Sequence, residues 1–145
     1  PPVIIIDMGT ATTITVIGPN SRLLGGAILP GAAVSLEALS GAASLLPRIS
    51  LEAPKRVIGS GTIECMKSGA VFGAACAIDG MIDRMEAELG GSAAVVATGG
   101  LAERIIPYCT HDIELDDYML LRGLSLIWQR NRRERRREAK QAPHA

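Results

Sequence analysis

The chain opens on an unbroken apolar run, Val3-Ile4-Ile5-Ile6, before its first charge at Asp7. A continuous run of this length reads as a strand covered on both faces. Thr12 to Ile17 is β-branched throughout, and Gly18-Pro19-Asn20-Ser21 after it is a turn signal. Arg22 to Ile28 returns as a third strand, so the second and third strands form a hairpin. Past Pro30-Gly31 the apolar period lengthens: Leu36, Leu39 and Ala43 lie in phase on a helix expected over Ala32 to Leu46. Pro47 to Pro54 reads as a loop. A second helix begins at Ser60 or Thr62, either of which can cap it, and runs to about Leu89, where Gly90-Gly91 ends it. Ala93 to Ala97 is a further buried-type strand, Leu101 to Ile106 a short helix, His111 to Leu115 a short strand, and Tyr118 to about Arg137 the last helix. The order predicts an α/β layered core: a three-stranded antiparallel meander followed by alternating helices and strands.

The second helix has Gly69, Gly73 and Ala77 every four residues, with Gly80 nearby. Each interior glycine costs about 1 kcal/mol of helix propensity. A close helix pair, within the chain or across a dimer, is the expected compensation.

Composition narrows the classes. With 145 residues the chain has the length of one domain, and 48% hydrophobic against 21% charged residues is enough to bury a core. Aromatics make up only 3%, which argues against modules that stack bases on aromatic platforms. No apolar run approaches the roughly 20 residues of a membrane-spanning helix, and nothing at the start resembles a signal peptide. The missing initiating Met suggests a piece of something longer. Cys65, Cys76 and Cys109 have no CxxC spacing and read as buried, reduced thiols of a cytoplasmic protein. The formal charge of zero hides a division between a mildly acidic body and a basic end from Trp128 onward.

Two segments carry candidate chemistry. In Asp7-Met8-Gly9-Thr10-Ala11-Thr12-Thr13 a carboxylate ends a buried strand and is followed by a glycine and closely spaced hydroxyls. Turn amides and Thr hydroxyls make a cup of donors for phosphate. A carboxylate beside that cup repels phosphate unless a cation lies between them, so Asp7 points to a bound metal or monovalent ion. The same residues also read as an ordinary glycine turn in which Asp7 caps amides. The second segment, Ala97-Thr98-Gly99-Gly100-Leu101, is a strand-to-helix turn at a strand's carboxyl end, where ligands bind in such sheets. Two such turns can face each other across a nucleotide.

These segments, with Gly25-Gly26-Ala27-Ile28-Leu29-Pro30-Gly31, Ser35-Leu36-Glu37-Ala38-Leu39, Leu46-Pro47-Arg48, Ile58-Gly59 with Thr62, Ser68-Gly69 and Asp79-Gly80, resemble in order and spacing the carboxyl-terminal half of type III pantothenate kinases, over nearly all of residues 3–131. The resemblance implies an RNase H-like lobe of the actin-like ATPase superfamily, one of two lobes that hold ATP between them. It implies transfer of the ATP γ-phosphoryl to pantothenate, the first step of coenzyme A synthesis, in a cytoplasmic homodimer that uses Mg²⁺ and a monovalent cation, K⁺ or NH₄⁺. By the same resemblance Asp7 is the monovalent-cation ligand, Gly9, Thr10, Gly99 and Gly100 are ATP contacts, and Thr62 is the pantothenate contact.

The family's amino-terminal lobe carries an Asp-x-Gly-Asn-Thr phosphate loop and a Gly-x-Asp-Arg segment whose Asp is the general base. Neither occurs here. The expected division is therefore a second lobe over residues 1–129, a basic and partly disordered tail over 130–145, and an absent amino-terminal lobe, so this chain alone lacks a catalytic base and is expected to be inactive. Asp83-Arg84 is the only Asp-Arg pair and sits inside a helix; Asp79, Asp83 and Glu86 read as a solvated helix face. His111 reads as structural and His144 as part of a frayed terminus. A non-enzymatic alternative remains, since some members of this family are described as accessory factors for transcription and the Arg-rich tail suits electrostatic binding of nucleic acid. A solvated helix end is the competing reading of that tail. A different sugar or acyl kinase of the superfamily is the third, disfavoured by Thr62 and the Gly-Gly-x-x-x-Pro-Gly segment.

Overall fold

The computed structural model describes residues 1–141, with side chains as far as Arg136. His144 lies outside the described residues. Strands β1 (Val3–Met8), β2 (Ala11–Ile17) and β3 (Leu23–Pro30) come first, followed by helices α1 (Ala32–Ala42) and α2 (Thr62–Leu89). Then come β4 (Ala94–Thr98), a short α3 (Ala102–Ile105), β5 (Glu114–Leu115) and α4 (Met119–Gln141).

The five strands make one sheet in the order β3-β2-β1-β4-β5. β2 runs antiparallel to both β1 and β3, while β4 is parallel to β1 and to β5. This is the meander expected from the sequence, continued by alternating helices and strands, and it matches the architecture of an actin-like ATPase lobe. Register follows the side-chain alternation: Ile4, Ile6 and Met8 of β1 and Ile14 and Val16 of β2 point to one face and are buried there. Val71, Ala75, Ile78 and Ile82, three or four residues apart along α2, complete that core with Leu36 of α1 and Ile105 of α3. The opposite face is less sealed, with Val3, Ile5 and Ile17 half-buried and Ile28 open to solvent.

Several expectations change. The first helix stops at Ala42 rather than Leu46, with Ala43 extended at φ −114° and ψ 109°. Leu39 and Leu45 face solvent, and Leu46 packs against the core from outside the helix. The second helix does not pair through its small residues within the chain: a Cβ at Gly69 or Gly73 would meet nothing within 4 Å. That helix is also long and apolar enough to cross a membrane, contrary to the expectation that no segment is; one face of it nonetheless forms the core of the fold. The thiols are not buried, since Cys65 and Cys76 are exposed and Cys109 is half-buried. Partial burial, with Asp79 and Cys76 nearby, pushes the Cys109 thiol up to about 12.

The acidic face of α2 is not simply solvated. Asp79 accepts the backbone N–H groups of Thr110 (2.8 Å) and His111 (3.2 Å), Asp83 meets the His111 ring at 2.8 Å, and Glu86 accepts the N–H of Ala93 at 2.8 Å. These carboxylates tie α2 to the segments that lead into β4 and β5.

Candidate functional site at the β1 and β4 turns

β1 and β4 are parallel neighbours, and their register pairs Asp7 with Thr98. The turn after each strand therefore emerges at the same edge of the sheet, which is where an open α/β sheet binds its ligands. The two turns touch. The Leu101 N–H donates to the Met8 carbonyl at 3.1 Å, while within the second turn the Ala102 N–H donates to the Gly99 carbonyl at 3.0 Å. Gly99 has φ +99°, and a Cβ there would lie 2.6 Å from the Met8 carbonyl oxygen and 2.7 Å from both Met8 N and Asp7 Oδ1. Only glycine fits that contact without displacing backbone. It places the Asp7 carboxylate directly against the Gly-Gly turn.

A second glycine fixes the first turn from the other side. The Gly31 N–H donates to the Thr10 carbonyl at 3.1 Å, and a Cβ on Gly31 would lie 2.4 Å and 2.6 Å from the Thr10 and Gly9 carbonyl oxygens. The start of α1 is thereby pressed onto the Gly9-Thr10 loop. The Gly9 N–H donates to the Ala11 carbonyl at 3.0 Å, so that amide closes the turn instead of facing a ligand. The exposed Thr10 hydroxyl and the exposed Asp7 carboxylate have no side-chain hydrogen bond among the described residues.

Asp7, Thr98, Gly99 and Gly100 line an open cavity of about 430 Å³ together with Glu103, Asp117 and Leu120. Of the residues singled out from sequence, the fold brings Asp7, Gly99 and Gly100 into one cavity and sets Gly9 and Thr10 on the adjoining loop. Thr62 is exposed at the first position of α2 and does not line this cavity. Its surroundings are ordered by Glu64, which accepts the backbone N–H (2.9 Å) and hydroxyl (2.7 Å) of Ser60, contacts that hold its carboxyl below the usual range.

Glu103 and Asp117 were not singled out from sequence. Glu103 lies in the first turn of α3, and Asp117 just before α4. Asp116 beside it donates its N–H to the Ala97 carbonyl (2.8 Å) and accepts the Tyr118 N–H (3.0 Å) and the Arg122 guanidinium, which roots α4 at the cavity's edge. Among the described residues no three His, Cys, Asp or Glu converge as a metal cage.

The family model described as type III pantothenate kinase matches residues 1–84 of the chain. The chain belongs to the type III pantothenate kinase family. A type III pantothenate kinase of Moorella thermoacetica is 44% identical over 130 residues, which cover 90% of this chain and 51% of the relative. One from Exiguobacterium sp. is 45% identical over 132 residues, covering 91% and 52%. The chain thus spans about half the length of the curated pantothenate kinases it matches. A crystal structure from Campylobacter jejuni assigned to the Baf family of transcriptional activators is similar at TM-score 0.62 and 26% identity, covering 90% of this chain and 58% of that one.

Proposed function

We propose that the chain is the second lobe of a type III pantothenate kinase and that the assembled protein transfers the γ-phosphoryl of ATP to the primary hydroxyl of pantothenate. The observation that carries this reading is the seating of Gly99 against Asp7, which merges two turns into one edge at the carboxyl ends of parallel strands. In this reading the Thr10 hydroxyl and the Gly99-Gly100 turn hold the nucleotide, Gly9 keeps the loop free of side-chain bulk, and Thr62 contacts pantothenate at the start of α2. Asp7 supplies one carboxylate to a monovalent cation, K⁺ or NH₄⁺. The donor set fits such a use: the exposed Asp7 carboxylate gives part of a coordination shell, with Glu103 and Asp117 on the same cavity, and leaves the rest to phosphate oxygens and water. Mg²⁺ bound with ATP would neutralise charge on the transferring group.

The general base belongs to the lobe this chain lacks, so the chain alone is inactive. Phosphoryl transfer rests on positioning and charge stabilisation, which half a cleft does not supply. The assembled protein is cytoplasmic and homodimeric in this reading, and the uncovered Gly69 and Gly73 of α2 leave a surface on which a second copy can pack closely.

The test is release of ADP in the presence of pantothenate, Mg²⁺ and K⁺. The chain alone gives none; combined with the other half of a family member it gives pantothenate-dependent turnover, and Asp7→Asn removes the K⁺ dependence. Turnover by the chain alone refutes the division between lobes, and pantothenate-independent behaviour of the combination refutes the kinase reading. The Arg-rich end of α4 and the Campylobacter jejuni relative support a second reading, a non-catalytic nucleic-acid-binding homologue. Salt-dependent DNA retention that disappears on removing residues 130–140 would favour it.

A further inference from the structure

The first three turns of α4 are apolar over most of their circumference and touch almost nothing. Leu120, Leu121, Leu124, Leu126, Ile127 and Trp128 are between 54% and 69% exposed. At 3.6 residues per turn these side chains with Met119 span an arc of about 220°, leaving only Arg122, Ser125 and Gln129 on the remaining side. An ordinary surface helix needs an apolar arc little wider than about 100°, and an arc this broad belongs to a helix enclosed by protein. The charged segment does not flank this surface as it would in a helix lying on a membrane; Arg130, Arg132, Arg133, Arg135 and Arg136 follow it along the axis. Among the described residues the helix is anchored by hydrogen bonds to the body only at its root, through Asp116.

Two observations identify what encloses it. The chain spans 51% of the Moorella thermoacetica relative, so a lobe of comparable size is absent from the fold described. And α4 rises from the edge of the candidate cleft, where Leu120 and Asp117 line the same cavity as Asp7, Gly99 and Gly100. A body seated on the first turn of α4 therefore lies beside the nucleotide turns and closes the cavity's open side. We propose that residues 119–128 are the docking helix for the family's other lobe, which grips α4 on more than one side and thereby completes the cleft. The inference rests on the second-lobe reading above and adds to it the surface through which the halves join.

The experiment mixes the full 145-residue chain with the half of the Moorella thermoacetica relative that it does not match, expressed separately, and reads complex formation by sedimentation and calorimetry without nucleotide or pantothenate. The expected result is a one-to-one complex, weakened at least 100-fold by Leu124→Glu or Ile127→Glu and less than threefold by Arg133→Glu. Because α4 packs so little on the body, both Glu variants keep the melting temperature of the parent chain, which separates lost docking from lost folding. Absence of a complex, or a complex indifferent to Leu124→Glu, overturns the proposal. So does self-association of the chain abolished by Leu124→Glu, which would make a second copy the occupant, or binding to phosphatidylglycerol vesicles abolished by the same change, which would make it a membrane. Docking through α4 without phosphorylation leaves this inference standing and removes the kinase reading; phosphorylation by halves that join elsewhere does the reverse.

Discussion

Gly99→Ala tests whether the contact between the two turns holds the site together. The new Cβ would sit 2.6 Å from the Met8 carbonyl oxygen and 2.7 Å from Met8 N, distances that backbone cannot accommodate without moving. It would also place a side chain at φ +99°. Such a backbone conformation costs a non-glycine residue about 1–3 kcal/mol, and overpacking against a fixed neighbour adds about 1–3 kcal/mol. The unfolded chain gives back about 0.4–1 kcal/mol, because alanine has less freedom to lose on folding. The net expectation is a loss of about 1–6 kcal/mol, a large part of the roughly 5–15 kcal/mol that holds a domain folded. Gly100→Ala is the matched control: nothing lies within 4 Å of its Cβ, and its φ is not in the left-handed region. Urea titrations of both variants followed by circular dichroism measure the difference, and an equal midpoint with unchanged slope for the pair would refute the argument that β1 and β4 are locked through Gly99.

The remaining predictions follow from contacts elsewhere. Gly69→Ala and Gly73→Ala have free space around them, so each should stabilise the isolated chain by about 0.5–1 kcal/mol through helix propensity; destabilisation in thermal melts would mean the stripe already has a close neighbour. Asp79→Ala removes the acceptor of two backbone amides and should cost about 1–3 kcal/mol, with faster hydrogen exchange at Thr110 and His111 as its signature; unchanged exchange would sink it. Alkylation near pH 8 should label the exposed Cys65 and Cys76 first and the half-buried Cys109, whose thiol is pushed up, much more slowly, since reactivity follows access and the thiolate fraction. The raised Cys109 value contributes stability that is fully present below the unfolded value of 9.0 and lost as pH rises through about 12; equal labelling of all three thiols contradicts both statements. The Glu64 carboxyl, lowered by its bonds to Ser60, contributes stability present above the unfolded value of 4.5 and lost as pH falls through its folded value. An NMR titration of Glu64 that falls at or above 4.5 would exclude that contribution.

The elements were legible because each follows from a local pattern. Thr12 to Ile17 alternates into β2 with Thr12, Ile14 and Val16 inward, and Gly90, at φ +73°, ends α2 where the glycine pair was expected to. What the pattern missed depends on partners distant in sequence. Asp79, Asp83 and Glu86 look like a solvated stripe when only α2 is considered, because the amides and the imidazole they hold arrive from residues 93, 110 and 111. The glycines of the same helix look like a packing groove from α2 alone, and no neighbour among the described residues fills it. Periodicity records that a face was kept small or charged, and the partner must be found in three dimensions.

The site divides along the same line. Asp7 could be singled out because it shares a short turn with Gly9 and Thr10, whereas Glu103 and Asp117 reach the same cavity from separate elements and carried no local signal. Their presence alters the electrostatics inferred from Asp7 alone. Three carboxylates now border the space beside the Gly99-Gly100 turn, and each unit of like charge held about 5 Å away opposes an entering phosphate by about 3 kcal/mol at an effective dielectric near 20. The Thr10 hydroxyl and a few turn amides do not offset repulsion of that size. Among the described residues no Lys or Arg lines the cavity, and the arginines that make the chain formally neutral follow the apolar turns of α4, C-terminal to Leu120. If the cavity takes a nucleotide, the compensating charge must come from cations that travel with it and from whatever body closes the open side. The acidic cleft and the uncovered apolar helix are then two aspects of one incomplete interface.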